Sequence, residues 1–347
     1  MQPKPTHEPE ICAEVDLCGA DGRLNSAARG WSRRPLHTGN LRGSWGRNKR
    51  WDYWAILAGD LVVSSVYADI DYLGLADVWW ADLTTGQSGG RPMASPGSRG
   101  IELPDRPATA PLRARSRKLS LEVATDPDGT AHIDAEWMER GGSTANLRVT
   151  IDQPPGHESL NVVIPWSERR FQYTSKHQAR PAHGELAVGD RRWEIGGESG
   201  SAWGVLDVGR GRWPYRTRWN WGGGAGPTDR DGPVIGLQMG AKWTDGTGFT
   251  ENGVILDGRL TKLGEELRWD YDWNHPMQPW RVSSPDGRLE ATLTPRYDRH
   301  GRAEALIFAN HTHQVFGTWT GRFIDDDGTE LAFTDIQGFA EESRSRW

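Results

Sequence analysis

The densest group of chemically capable side chains lies between Asp207 and Trp221, a segment with one carboxylate, four arginines, a tyrosine and three tryptophans. Asp207 follows an apolar stretch, where burial would raise its pKa and make it a proton donor. It could equally form an ion pair with a neighbouring arginine. Trp219 and Trp221 point to the same side of a strand, where indole faces can hold an apolar ligand, a sugar ring or a developing carbocation.

A second carboxylate with a neighbouring amide occurs at Glu251 and Asn252, directly before the apolar run Gly253–Leu256. A buried glutamate in this position could act as a general acid or base. The alternative is a solvated carboxylate at the start of a hairpin.

The aromatic run from Trp51 to Trp54 also has two interpretations. In a strand, Trp51 and Tyr53 face one way while Asp52 and Trp54 face the other, so one pair is expected to face a cavity. Ordinary packing of a barrel would explain the same pattern. Lys176, at the end of another predicted strand, is similarly ambiguous.

Metal-binding patterns are weak in this sequence. His311 and His313 would share a face of a strand, but no third ligand follows at a fixed spacing, so we expect exposed histidines in a polar turn. Cys12 and Cys18 are too few for a zinc site or a disulfide framework. We therefore expect no metal.

Composition excludes several classes of function. The formal net charge of -6 argues against a nucleic-acid partner. The chain has no phosphate-binding loop, no dinucleotide fingerprint and no nucleophile elbow, so we expect no cofactor. No segment predicts a signal peptide or a membrane span, which favours a cytoplasmic protein.

The elements that must position these residues are strands. Apolar residues alternate with polar ones in Leu119–Val123 and again in Ile133–Trp137, on either side of an Asp-Pro-Asp-Gly turn. Repeats of this pattern along the chain predict an all-β fold. Residues 84–116 and 222–233 are expected to be irregular, and a Gly-rich break at 196–201 suggests two β units.

Five motifs carry a resemblance to a known family: Gly30–Leu36, Lys49–Trp54, Asp207–Trp221, Glu251-Asn252 and Gly338–Trp347. They resemble the bacterial domain-of-unknown-function family numbered 2804. That family is similar to a lipocalin-like set that includes carotenoid 1,2-hydratases and tocopherol cyclases. The resemblance implies two consecutive lipocalin-like antiparallel β-barrels packed together, with a pocket near their junction. The expected division is a flexible segment over residues 1–23, a first barrel over 24–198 and a second over 199–347.

The resulting hypothesis is a protein that binds an apolar, unsaturated small molecule such as an isoprenoid or a lipid. It could act as a cofactor-free hydratase, cyclase or isomerase, with Asp207 and Glu251 as catalytic residues. The residues expected to bind the ligand are Trp51, Tyr53, Trp54, Lys176, Tyr215, Arg218, Trp219, Asn220, Trp221 and Asn252. Two alternatives stay open, namely a non-catalytic lipid or pigment carrier and a carbohydrate-active protein.

Overall fold

The computed structural model describes residues 6–101, 103–304 and 309–346, which form strands and two short 3-10 helices, Ser26–Ala28 and Gly197–Ser199. Among these residues no helix has the length and apolar character needed to span a membrane. The strands up to the second 3-10 helix are β1 (Val15–Asp16), β2 (Trp31–Ser32), β3 (His37–Thr38), β4 (Lys49–Ala58), β5 (Leu61–Asp69), β6 (Leu73–Asp82), β7 (Ser88–Pro96), β8 (Leu112–Arg115), β9 (Leu119–Thr125), β10 (Ala131–Met138), β11 (Thr144–Ile151), β12 (Leu160–Ser167), β13 (Arg170–Val188) and β14 (Arg191–Ile195). The strands after it are β15 (Trp203–Arg212), β16 (Arg216–Pro227), β17 (Val234–Ala241), β18 (Asn252–Leu256), β19 (Arg259–Leu263), β20 (Arg268–Asp270), β21 (Trp280–Ser283), β22 (Leu289–Glu304), β23 (Ala309–Ile324) and β24 (Glu330–Arg346).

Two curled antiparallel sheets contain almost all of these strands. Sheet I runs in the order β7-β6-β5-β4-β15-β13-β11-β10-β9-β8, with β12, β14 and β2 attached beside β13 and β12. Sheet II runs in the order β19-β18-β17-β16-β24-β23-β22-β21-β20. The all-β prediction is confirmed. Each of the two predicted barrels is a curled half-barrel sheet rather than a closed cylinder.

The period-2 pattern explains how each sheet builds its core. In β9 the side chains of Leu119, Leu121 and Val123 are buried, while Ser120 is exposed between them. The paired strand β10 buries its own alternate residues on the same face. One face of each strand therefore packs inward, as half-buried antiparallel sheets require.

Two segments expected to be irregular are strands in part. Residues 84–116 contain β7 and β8, and β7 tolerates its prolines because it lies at the edge of sheet I, where a missing N–H breaks no ladder. The glycines after Trp221 lie in β16, in the middle of sheet II. Gly224 has Trp319 and the backbone of Gln337 where a side chain would be, so close packing explains its composition.

The N-terminal segment also differs from the expected flexible tail. Within residues 6–23, Leu17 is fully buried and Glu8 pairs with Lys262 of sheet II at 2.9 Å. The chain passes from sheet I to sheet II between Arg212 and Arg216, not at residue 199. Strand β15, which follows residue 199, still belongs to sheet I, where it lies between β4 and β13. The Gly-rich break at 196–201 connects β14 to β15 within that sheet.

Candidate active site between the sheets

On sheet I, strand register places three polar residues in one row. Lys176 of β13 lies directly opposite Asp207 of β15, which lies opposite Tyr53 of β4. The next row on the same face contains Trp51 and Gly209. Gly209 has no side chain, and the Trp51 ring occupies the place that a Cβ would take, 2.2 Å from it. From there the indole Nε1 of Trp51 donates to Oδ2 of Asp207 at 3.0 Å.

Sheet II contributes a matching row. Trp221 of β16 lies between Gly240 of β17 and Glu341 of β24, and Glu341 lies opposite Gln314 of β23. At Gly240 the carboxyl of Glu251 fills the space of the absent side chain, with Oε1 2.1 Å from the position of a Cβ. Each sheet thus uses a glycine in or beside this row to make room for a functional side chain.

Lys176 connects the two rows. Its Nζ lies 2.8 Å from Oδ1 of Asp207 and 3.3 Å from Oε2 of Glu251, and 4.4 Å from the centroid of the Trp221 ring. Glu341 is close enough to interact electrostatically with Lys176 and Asp207. We call Asp207, Glu251 and Glu341 the carboxyl cluster. All three side chains are buried, although Asp207 and Glu341 each retain about a twelfth of their surface, 8%.

Each member of the carboxyl cluster accepts one indole N–H. Trp51 donates to Asp207, Trp243 donates to Oε1 of Glu251 at 2.6 Å, and Trp219 donates to Oε1 of Glu341 at 2.7 Å. These three rings belong to one indole cluster, whose members are Trp51, Trp166, Trp213, Trp219 and Trp243. The same rings therefore pack on one another and hold the carboxyls in position.

The electrostatics follow from three carboxyls sharing one lysine in a desolvated space. Burial raises the pKa of Glu341 to about 7 and also raises the pKa of Glu251, with Lys176 opposing both shifts. Burial alone would lower the pKa of Lys176, but Asp207 and Glu251 raise it above its ordinary value. A neutral carboxylic acid and a charged ammonium therefore coexist near pH 7.

Seven of the predicted site residues come together at this place, namely Trp51, Tyr53, Lys176, Asp207, Trp219, Trp221 and Glu251. The ring of Tyr53 packs edge-on against Trp221, and its hydroxyl lies 3.4 Å from Nε2 of Gln314. The alternative in which Asp207 pairs with an arginine of its own segment is wrong. Arg210, for example, pairs with Asp52 at 2.7 Å.

The other five predicted ligand-binding residues lie elsewhere. Trp54 faces the opposite side of β4, inside sheet I, beneath the guanidinium of Arg180. Arg218 and Asn220 face the opposite side of β16, where Arg218 binds Glu342 and Asn220 binds Tyr271. Two further residues are also displaced: Tyr215 is exposed in the connection before β16, and Asn252 bonds to the backbone of Gly240 and Glu265.

Sequence reasoning missed Glu341, Trp243 and Gln238, whose Oε1 accepts from Trp221 at 3.1 Å. Glu341 lies in the closing motif Gly338–Trp347, and the resemblance of that motif to the family is the sequence signal for this residue. Trp243 and Gln238 gave no local signal, because only the pairing of β17 with β16 and β18 brings them to the site.

A separate cavity of about 940 Å³ opens inside sheet I, on the side of β4 away from the carboxyl cluster. Trp54, Asp52, His177 and Arg180 line it. His311 and His313, expected in a polar turn, lie instead within β23, and register brings His300 of β22 beside them.

Residues 8–347 match the family described as "Domain of unknown function (DUF2804)". Among curated proteins, none matches the chain. Solved structures resemble it at low identity. A protein described as a candidate AttH from Nitrosomonas europaea is 14% identical, with 85% of this chain and 92% of that chain covered and a TM-score of 0.50.

Two others are CghA and kievitone hydratase from Nectria haematococca. CghA is 13% identical with a TM-score of 0.47, over 96% of this chain and 97% of its own. The hydratase is 10% identical with a TM-score of 0.49, over 86% and 89%. The lipocalin-like architecture that the motifs implied is confirmed. Because the match spans nearly the whole sequence, the chain belongs to the DUF2804 family.

Proposed function

We propose that this protein binds an apolar, unsaturated small molecule against the indole cluster and acts on it by proton transfer, as a hydratase, cyclase or isomerase that needs no cofactor. The observation that carries the proposal is the set of three buried carboxyls around Lys176, each accepting an indole N–H. A purely structural ion pair would need only one carboxylate for one lysine.

Glu341 is the proposed acid, because a pKa of about 7 leaves its carboxyl protonated in a useful fraction at neutral pH. Its proton would pass to an alkene carbon, forming a C–H bond and leaving a carbocation beside a carboxylate. The ring faces of Trp219 and Trp51 would stabilise that positive charge. Exclusion of bulk water would strengthen these interactions.

The second half of the reaction returns the proton. Addition of water to the cation releases a proton to Asp207 or Glu251 and yields an alcohol, whereas loss of a neighbouring proton yields an isomer. Attack by a second double bond before that loss yields a ring. Lys176, which contacts both Asp207 and Glu251, keeps the accepting carboxylates in position.

The test is incubation in D₂O with farnesol, geranylgeraniol and an acyclic carotenoid, followed by mass spectrometry. Protonation of a double bond adds one deuterium per turnover, and hydration adds the elements of D₂O. We expect Glu341→Gln, Asp207→Asn and Glu251→Gln each to lower incorporation by about 10²–10⁴-fold. Glu139→Gln is the control, because Glu139 accepts from two indoles of sheet I outside the cluster.

Other outcomes separate the alternatives. Quenching of tryptophan fluorescence by a probe that is recovered without deuterium would indicate a carrier. Hydrolysis of nitrophenyl glycosides that depends on Asp207 and Glu251 would indicate a carbohydrate-active protein. Incorporation that survives all three carboxyl substitutions would contradict the proposed mechanism.

A further inference from the structure

Three imidazoles lie on one face of the β22–β23 pair. His300 is directly opposite His313, and His311 lies two residues earlier on the same side of β23. One ring nitrogen from each residue lies within 4.8 Å of the others. The Nε2 atoms of His300 and His311 are 2.7 Å apart, and the rings of His300 and His313 stack with centroids 4.4 Å apart.

A carboxylate orients one of these rings. Oδ2 of Asp298 lies 2.8 Å from Nδ1 of His313, and both side chains are mostly buried. This bond keeps the proton on Nδ1 and leaves the lone pair on Nε2, the arrangement that metal-ligating histidines ordinarily have. The ring of Trp273 packs edge-on against His311 and His313.

Two arginines, Arg302 and Arg344, lie close enough to His311 to act on it electrostatically. The guanidinium of Arg344 lies over the ring of Trp273, and its Nε binds Oε1 of Glu342 at 2.6 Å. Arg302 binds Glu304 at 3.0 Å. Arg302 thus has a carboxylate of its own, whereas Arg344 shares Glu342 with Arg218 and Lys242. Asp298, beside His313, supplies the negative charge that would offset a bound dication.

We propose that His300, His311 and His313 bind one divalent transition-metal ion of the zinc class, with Asp298 as a positioning residue and a fourth coordination position open to water. Metal–nitrogen distances of about 2.0–2.1 Å in a tetrahedral site place ligand nitrogens about 3.3 Å apart. The three nitrogens lie within 4.8 Å of one another, and the stacked rings of His300 and His313 must tilt for their lone pairs to converge on one ion. Three neutral imidazoles suit zinc, cobalt, nickel or copper and not magnesium or calcium.

The site is distinct from the carboxyl cluster. Gln314, next to His313, points to the other face of β23 and reaches Tyr53. A metal here would join β22 to β23 behind that face, and its binding does not depend on the proposed proton-transfer chemistry.

The test uses the untagged full-length chain after treatment with EDTA. Titration with Co²⁺ is followed by visible absorption, and titration with Zn²⁺ by calorimetry. We expect one ion per chain with a Kd below about 1 µM, a raised Tm, and weakening of at least about 100-fold in His300→Gln, His311→Gln and His313→Gln. Asp298→Asn should weaken binding about 10–100-fold.

His132→Gln is the matched control. His132 also lies on a strand, β10, and pairs with an aspartate, but it lies outside the three-histidine group. His300 is exposed, so its replacement leaves the core intact and keeps the test decisive. The site is supported if the wild-type chain binds one ion and, among the histidine variants, only His132→Gln keeps that binding. Failure of the wild-type chain to bind, or equal binding by all histidine variants, overturns it.

Discussion

At the scale of single residues, the main feature is an imbalance of charge among buried side chains. Within the described part of the chain, Lys176 is the one cation paired with Asp207 and Glu251, and Glu341 lies nearby. Full ionisation of all three carboxyls would leave uncompensated negative charge between the sheets, which costs several kcal/mol per ion. Retention of a proton by the cluster relieves that cost, which is why the pKa of Glu341 is raised.

The first prediction concerns the pH dependence of stability. The folded chain holds the proton of Glu341 up to about pH 7, whereas an unfolded glutamate releases it near 4.5. Since the folded state binds more protons in this window, the stability contributed by this group is present below pH 4.5 and is lost as pH rises through 7. Glu341→Gln lacks this titration and keeps an oxygen acceptor for Trp219.

Urea unfolding at pH values from 4.5 to 8.5 measures the effect. The free energy of unfolding of the wild type, relative to Glu341→Gln, should fall by roughly 2–3 kcal/mol between pH 4.5 and 7 and then level off. Parallel pH curves for the two proteins would contradict the assignment of the shifted group.

At the scale of elements, the site depends on strands that carry glycine opposite a large side chain. Gly209 gives the Trp51 ring its place, and Gly240 gives Glu251 its place. In both cases the missing Cβ belongs to a central strand, where a neighbour occupies the vacated space. The two glycines therefore let the Trp51 indole reach Asp207 and the Glu251 carboxyl reach Lys176.

We predict that Gly209→Ala displaces the Trp51 indole from Asp207, because the new Cβ would lie 2.2 Å from the ring. Overpacking of this kind costs about 1–3 kcal/mol. The loss is measured by chemical unfolding, and the displacement by the ¹H–¹⁵N signal of the Trp51 indole. Gly141→Ala is the control, since no atom lies within 4 Å of its Cβ position. An unchanged indole signal in Gly209→Ala would show that the ring is held by other contacts.

At the scale of the whole molecule, long-range contacts hold the two sheets together around the site. Arg299 of β22 binds Asp77 of β6 at 3.1 Å, and Trp79 of β6 stacks on Phe316 of β23. The N-terminal segment adds a further connection through Glu8, whose Oε1 accepts from Nζ of Lys262 and from the backbone N–H of Thr250. Thr250 precedes Glu251, so this contact supports the strand start that carries a site residue.

We predict that Glu8→Gln destabilises the protein by about 3–5 kcal/mol, because Lys262 is almost completely buried and would lose its charge partner. Replacing both residues, as Glu8→Leu with Lys262→Met, should recover part of that loss. Glu14→Gln, which breaks an exposed pair with Arg106 in the same segment, should change stability much less. Denaturant unfolding of the four proteins is the measurement, and equal effects of Glu8→Gln and Glu14→Gln would contradict a buried anchor.

The sequence by itself determined the β architecture, the family and the residues with the strongest local signals. Alternation in β9 and β10 predicts strands because side chains of a strand alternate between faces. Asp207 and Glu251 stand out because charged residues beside apolar runs are unusual, whereas Lys176, at the end of a predicted strand, is ambiguous from the sequence alone. The same period-2 rule limited the prediction, since Trp54 and Asn220 are neighbours of site residues yet lie on the opposite faces of their strands.

Only the tertiary structure decided which faces meet. Lys176 and Glu251 are 75 positions apart in the sequence and contact each other because β13 of sheet I packs against β16 and β17 of sheet II, next to Glu251. Glu341 joins them through the pairing of β24 with β16, and His300 joins His311 and His313 through the register of β22 with β23. These relations depend on strand pairing over long sequence separations, which local patterns of apolar and polar residues do not encode.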